Sequence, residues 1–285
     1  MSIQSLHPVA LNLKPEDRLA ITHGNGPVVG NILLRNAAAA PGIPPMPLDV
    51  CVADSQGGIG YMICQSMENV LRANRDPRPV TAVITRIRVD PTDPALARPT
   101  KPIGPFYEET EAKGMARRKG WTVVEDSGRG WRQVVGSPRP LEILELEAIR
   151  ALFEAGHAVV AAGGGGVPVA RDARGELTGV EAVIDKDRAS ALLAKELGIE
   201  ELLLITGVPY VALDFGKPTQ RDLDRITLAE ARQYLENGEF GEGSMKPKME
   251  AVITFLEDGG REVRITSPEE IGSALKGSAG TLIVP

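Results

Sequence analysis

The sequence predicts an α/β fold, a three-layer αβα sandwich on a mainly parallel sheet. Three observations lead there. Short apolar, β-prone runs alternate with amphipathic stretches of helical period along most of the chain. Two of these runs feed glycine-rich turns that lead on towards helices, around 19–30 and 158–198. At 285 residues, with 42% hydrophobic and 25% charged residues, the chain can bury a sizeable core and has an ordinary soluble composition.

Bulk charge and cysteine usage exclude several classes. A net charge of -6 argues against wholesale nucleic-acid binding, so any basic site is local. Two cysteines imply no disulfide framework and fit a reducing compartment. The first residues lack the charged and apolar regions of a signal peptide, and no apolar run is long enough to span a bilayer. The expectation is a cytoplasmic protein with neither nucleic acid nor membrane as partner.

Leu19 to Thr22 reads as a short strand, followed by His23-Gly-Asn-Gly-Pro-Val-Val-Gly30. Pro27 suits a first helical turn, and Val29 to Leu34 continue as helix. The spacing Gly24-x-Gly26-x-x-x-Gly30 resembles a dinucleotide fingerprint, the sole support for an NADP-binding oxidoreductase. No second strand ending in an acid follows at ribose distance. His23, at a strand end, reads as a base or as a packed structural residue.

A proline-rich link, Pro41 to Pro47, precedes Leu48 to Gly57. A helix is expected from Gly58 to Ala73, burying Ile59, Met62, Ile63, Met67, Val70 and Leu71, and a strand from Val80 to Val89. Residues 90–132 are rich in proline and aromatics and read as an inserted, protruding subdomain. Within it a helix is expected at Glu108 to Lys119 and a hairpin around Gly128 to Gly130. Lys101, Arg129 and Arg132 fit either a lid over a site or an exposed loop with solvated charges.

Pro140 to Ala155 reads as an amphipathic helix and Ala158 to Ala162 as a buried strand. Four glycines follow, Gly163 to Gly166, then a polar hairpin from Arg171 to Thr178. Asp185 or Asp187 caps the next helix, which buries Ala189, Leu192, Leu193 and Leu197 and stops at Gly198. Leu202 to Thr206 and Val211 to Leu213 are strands, and Thr227 caps a helix to Asn237. A helix from Ser244 to Glu257, a strand at Val263 to Thr266, a helix at Ser267 to Leu275 and a strand at Thr281 to Val284 complete the chain.

The chemistry concentrates in two places. Without β-carbons, the tetraglycine run can turn sharply and bring several N–H groups close to one anion. Lys186 stands at a helix start between Asp185 and Asp187, and Lys246 and Lys248 stand at another. A cation there opposes the helix dipole by about 0.3–1 kcal/mol, and sequences break such local rules mostly where function requires it. An anion cradle, a cation and an acid together suit phosphate chemistry. Asp214-Phe-Gly216 spells a protein-kinase triplet, but no H-R-D loop or V-A-I-K strand accompanies it, and no P-loop occurs.

The stretches THGNGPVVGN, PLDVCVADSQGGIGYM, PTKPIGPFY, EDSGRGWRQVV, GGGGVPV, GVEAVIDKD and GSMKPKMEA closely resemble the carbamate kinases of the amino-acid kinase superfamily. The resemblance runs from about Leu19 to the C-terminus. It implies a single domain over 1–285 with the amino-acid kinase fold, a homodimer, and reversible phosphoryl transfer between ATP and carbamate. That reaction often makes ATP in arginine or purine-derived nitrogen catabolism. By resemblance, Lys186 and Lys248 would neutralise the phosphates, Asp187 would hold those lysines, and Lys101 would reach the substrate. Gly24, Asn25, Gly26 and Gly163, Gly164, Gly165 would bind carbamate and phosphate. Asp185, Thr206, Val208, Tyr210, Met245 and Lys248 would line the nucleotide, with magnesium accompanying ATP/ADP and no dedicated protein metal site.

Four departures from the family pattern stand out. Val28 replaces a usual glutamine and Asp54 a usual methionine, and Gly207-Val-Pro-Tyr210 is unusual beside the nucleotide. Family chains also begin with a strand ending in Gly-Gly-Asn, which is absent ahead of Thr22. The expectation is therefore a truncated form of weak or no activity, with sheet neighbours left unpaired and Ser2 to Leu13 filling part of the gap. The alternative function is a non-catalytic relative that binds nucleotide or carbamoyl phosphate.

Overall fold

Val159 and Val160 are adjacent on one strand yet belong to different cores. Val159 packs with Ile149, Phe153 and Leu193, whereas Val160 packs with Ile63, Met67 and Leu71. Successive strand residues point to opposite faces, so the sheet is covered by helices on both sides. This is the expected αβα sandwich. The computed structural model describes residues 5–40, 42–126, 128–241 and 245–285.

The chain enters through helix α1 (Leu6–Asn12), strand β1 (Ala20–Ile21), and helices α2 (Gly26–Ala39) and α3 (Leu48–Ala73). Strands β2 (Val80–Ala82) and β3 (Arg86–Arg88) follow, then helix α4 (Pro94–Ala97). Strand β4 (Lys101–Tyr107), helix α5 (Glu109–Lys119) and strands β5 (Thr122–Glu125) and β6 (Trp131–Val135) make a separate small sheet, ordered β4-β6-β5. The chain returns through β7 (Glu142–Ile143), α6 (Leu146–Glu154), β8 (Ala158–Val160), β9 (Val167–Arg171) and β10 (Leu177–Gly179).

The C-terminal part holds α7 (Lys186–Leu197), β11 (Glu201–Ile205), β12 (Val211–Leu213), β13 (Arg221–Leu223) and β14 (Arg225–Thr227). It closes with α8 (Leu228–Glu236), α9 (Met245–Glu257), β15 (Glu262–Thr266), α10 (Ile271–Leu275) and β16 (Thr281–Val284). The crossover pairs β1–β8, β2–β8, β3–β9, β11–β15 and β14–β16 are parallel, whereas the hairpin β9–β10, the edge pair β3–β7 and the central pair β15–β16 are antiparallel.

Several elements differ from expectation for identifiable reasons. Helix α3 starts at Leu48, ten residues before the predicted Gly58, and runs straight through Gly57 and Gly58. Its buried residues Cys51, Val52, Ser55 and Gln56 keep helical spacing, and Glu181 accepts from the Leu48 N–H at 3.1 Å near the start. Gly60 lets the helix approach β2, where a Cβ would sit 3.0 Å from Ala82. The predicted strand from Val80 to Val89 is broken at 83–85. The predicted helix from Pro140 begins only at Leu146, because residues 142–143 pair with β3 instead. Thr227 caps α8 as expected and forms a capping box with Glu230. Ser244, expected to open the next helix, lies outside the described residues, as do Ser2 to Gln4.

Among the described residues, strands β1 and β11 are both sheet edges, each paired on one side only. Between them lies a cavity of about 970 Å³, lined by residues of α1, β1, α7 and β11. Helix α1 packs against α3 and α10 and walls this space without pairing to either strand.

Candidate active site

Helix α7 starts where its sequence says it should. The Asp185 carboxylate accepts from the Asp187 and Arg188 N–H groups at 2.9 and 3.4 Å, so Asp185 is the N-cap and Lys186 the first helical residue. Gly198 ends the helix in the left-handed conformation, φ 66°. Helices α7 and α9 pack together, which brings Lys248, in the first turn of α9, against the start of α7.

Both expected lysines meet on one carboxylate. Lys186 Nζ donates to Asp187 Oδ1 at 2.7 Å and Lys248 Nζ to Asp187 Oδ2 at 2.8 Å. The Lys248 side chain is only 4% exposed. Burial pushes its pKa down, the neighbouring Lys186 charge adds to that, and Asp187 opposes both. Lys186 is more open, and its aliphatic stem lies over Gly24. Thr22 and Ser190 hydroxyls bond at 2.7 Å, and Ser190 donates to the Lys186 carbonyl at 2.7 Å, which ties β1 to the same helix turn.

Lys101 reaches the site from the small sheet, donating to Asp185 at 2.6 Å. Burial alone would raise the Asp185 carboxyl, but the Lys101 charge and the helix amides hold it below the usual range. Arg129 and Arg132 do not join Lys101. Both stack over Phe106 and bind Asp126, and Arg132 also donates to the Gly104 carbonyl. The aromatic ring and carboxylate within their own sheet satisfy them, so of the three cations that fitted either a lid or a solvated loop, Lys101 alone contacts Asp185.

The tetraglycine turn is a point of close approach. A Cβ on Gly163 would lie 2.2 Å from His23 Nε2, on Gly164 2.1 Å from Asn25 Nδ2, on Gly165 2.1 Å from the Ile184 carbonyl, and on Gly166 2.5 Å from Ile87. Four segments therefore press on four successive glycines. The Gly164 N–H donates to the His23 carbonyl, and those of Gly165 and Gly166 donate to Ala162 and Gly163. These three amides are engaged inside the fold. The turn's main contribution is close approach, in place of the expected row of anion donors. Asn25 is buried and donates to Ser55 Oγ at 2.9 Å. His23 is buried and packs against Gly163, and burial lowers its pKa.

Thr206, Val208 and Tyr210 lie between β11 and β12, and Met245 opens α9 and packs against the C-terminal cluster that includes Met249, Val252 and Phe255. Thr206 N–H donates to the Thr266 carbonyl at 2.9 Å. Among the described residues, no hydrogen bond or ion pair joins these four to the lysine cluster. Gln56 and Thr85, both buried beneath the glycine turn, went unremarked in the sequence. A glutamine on a helix and a threonine in a strand carry no signal of their own, although the spacing of buried positions in α3 puts Gln56 inward.

A doubly wound sheet with two first-turn lysines on one aspartate, one of them against Gly24, fits a phosphoryl-transfer protein. Residues 7–267 match the model of the amino acid kinase family. The chain belongs to that family, on its carbamate kinase branch. It is 48% identical over 270 residues to the carbamate kinase-like protein YahI of Escherichia coli, covering 93% of this chain and 85% of that protein. It is 47% identical over 268 residues to the carbamate kinase of Thermococcus kodakarensis, with the same two coverages. The solved carbamate kinase of Giardia lamblia bound to AMP-PNP superposes with a TM-score of 0.89 at 44% identity, covering 99% of this chain and 89% of that one.

Proposed function

We propose that this chain transfers a phosphoryl group reversibly between ATP and carbamate, with Lys186, Lys248 and Lys101 as the charges that make transfer possible. The observation that carries the reading is the single Asp187 carboxylate holding Lys186 and Lys248 together beside Gly24. Carbamate is already an anion. Its oxygen forms a bond to the γ-phosphorus while the bond to the bridging oxygen breaks, and ADP leaves with that electron pair. No general base is needed. The work is positioning and charge neutralisation.

In this reading Lys248, buried and short of water, meets the transferring phosphoryl oxygens, and Lys186 shares that charge from the open side. Asp187 keeps both ammonium groups aimed. Lys101 comes from β4 to the carbamate end, while Gly24, Asn25, Gly26 and Gly163 to Gly165 shape the wall opposite. Thr206, Val208, Tyr210 and Met245 line the nucleotide, with Asp185 at its phosphate end. Magnesium arrives with ATP, bound chiefly by phosphate oxygens as a hard cation prefers. The described residues hold no group of three or more His, Cys, Asp or Glu that could cage it.

Residues 1–285 form one domain, with the small sheet near 90–132 as a protruding subdomain. The working form is a cytoplasmic homodimer serving ATP-forming nitrogen catabolism. Among the described residues no helix is long and apolar enough to cross a membrane. The test is ATP formation from ADP and carbamoyl phosphate with magnesium, read by a coupled assay. ATP well above the no-enzyme control is expected, in place of the weak or absent activity the sequence suggested. Lys101, Lys186 and Lys248 are assembled around Asp185 and Asp187, and the match to carbamate kinases covers 93% of the chain. No ATP, from a folded protein, overturns the assignment.

A further inference from the structure

The strand break at 83–85 and the glycine turn at 161–166 lie side by side, because β2 pairs with β8 before the break and β3 with β9 after it. One residue joins the two interruptions. The Ala162 N–H donates to Thr85 Oγ1 at 2.9 Å, and the Val167 N–H donates to the Thr85 carbonyl at 2.8 Å. Thr85 thus holds the entry and the exit of the glycine turn. Its own hydroxyl proton goes to the Val83 carbonyl at 2.9 Å, which leaves the oxygen lone pairs for Ala162.

Gln56 holds Thr85 in turn. The Thr85 N–H donates to Gln56 Oε1 at 2.8 Å, and Gln56 Nε2 donates to the Thr85 carbonyl at 3.1 Å. Gln56 is 4% exposed and Thr85 fully buried. The turn they hold needs holding. Ala162, Gly164, Gly165 and Gly166 all have positive φ, at 51, 66, 97 and 82°, and Ala162 pays a steric cost there that glycine does not. From the turn, contacts lead straight to the site: Gly164 to the His23 carbonyl and Asn25, and Gly165 to Ile184, next to Asp185.

We propose that Gln56 and Thr85 are positioning residues, which set the spacing between the Gly24–Asn25 loop and the start of α7 by clamping both ends of the tetraglycine turn. This rests on the phosphoryl-transfer reading above. The clamp acts on the carbamoyl phosphate side of the site, since the turn abuts Asn25. Losing it should weaken that substrate and spare the nucleotide.

The experiment compares Thr85→Val, which keeps shape and removes the Oγ1 acceptor, with Thr85→Ser, which keeps the hydroxyl. Calorimetric titration with carbamoyl phosphate and, separately, with ADP supplies affinities, and a coupled assay supplies KM and kcat. Thr85→Val should weaken carbamoyl phosphate binding at least tenfold and raise its KM in step, with ADP affinity within twofold of wild type. Thr85→Ser should stay within threefold for both ligands. Gln56→Met, similar in size but lacking both amide bonds, should show the same split and serves if Thr85→Val fails to fold. Equal loss for both ligands, or no loss from either folded variant, overturns the inference. An inactive but folded wild type overturns the kinase reading instead, and the titrations tell the two failures apart.

Discussion

Lys101, the first residue of β4, donates to Asp185, the N-cap of α7, at 2.6 Å. This contact ties the small sheet to the main body across 84 residues of sequence. Lys101 is about a third exposed and Asp185 nearly buried, so the pair is partly screened and its value is modest. It also means that an anion binding to Lys101 competes with Asp185 for the same ammonium group.

Asp185→Asn separates the pair from the cap, because asparagine caps helices as well as aspartate does. The variant should lose on the order of 1 kcal/mol at pH 7. The sign follows from the lowered Asp185 pKa. A depressed carboxyl contributes stability that is full above the unfolded value and is lost as pH falls through the folded one. The gap between wild type and Asp185→Asn should therefore close in acid, below the ordinary Asp value of about 4. Denaturant melts from pH 7 to pH 3 check this; a gap that stays constant removes the ionic contribution.

Lys186→Ala and Lys248→Met should each cost turnover a few hundredfold, about 3–4 kcal/mol of transition-state stabilisation. Stability should hardly change. Lys186 opposes the α7 dipole and is partly exposed. The Lys248 charge is disfavoured by burial, so its lowered pKa means stability rises with pH through the folded value towards the unfolded one, and the penalty is present at neutral pH. Removing it leaves Asp187 still paired with Lys186, so no bare buried charge results. A variant within threefold of wild-type turnover, by coupled assay, takes that lysine out of the mechanism.

The lysines were legible because each breaks a local rule, a cation in a first turn, and the helix caps were legible because Asp185, Thr227 and Gly198 are the residue types those positions demand. The glycine run was legible as a site but not as a mechanism. Its amides turn inward and its missing β-carbons admit His23, Asn25, Ile184 and Ile87, contacts that only the assembled fold creates. Gly57 and Gly58 suggested a helix start where there is none, since glycine weakens a helix without ending it when both flanks bury apolar residues. The pair Lys101–Asp185 and the clamp Gln56–Thr85 are long-range polar contacts, which periodicity does not encode.

Glycines of the two kinds should respond oppositely to alanine. Gly58 lies exposed within α3 with nothing near its would-be Cβ, so Gly58→Ala should stabilise by about 0.5–1 kcal/mol, a Tm rise of about 2 °C. Gly165 has φ 97° and a Cβ there would meet the Ile184 carbonyl at 2.1 Å. Backbone cannot yield as a side-chain tip can. Gly165→Ala should cost more than about 3 kcal/mol, seen as a large Tm drop or loss of soluble protein. Equal Tm values for the two variants would contradict the close-approach account of the turn.

The last prediction concerns the cavity between β1 and β11. The Leu19 and Ile21 carbonyls accept from Val159 and Ala161, so by strand alternation Ala20 and Thr22 turn their backbone groups the other way, towards the cavity. On β11, Thr206 N–H and the Glu200 carbonyl bond to the β15 side, which turns Glu201, Leu203 and Ile205 to the cavity. A buried peptide group without a partner costs about 1–3 kcal/mol, so water should enter and solvate these edges. Amide hydrogen exchange should then alternate along each strand. Leu203 and Ile205 should exchange much faster than Leu202 and Leu204, and Ala20 and Thr22 faster than Val159 and Ala161 of the paired neighbour. Residue-resolved exchange by NMR reads this directly. Uniform protection along β11 would mean that some segment pairs with its free edge in solution and that the cavity is filled.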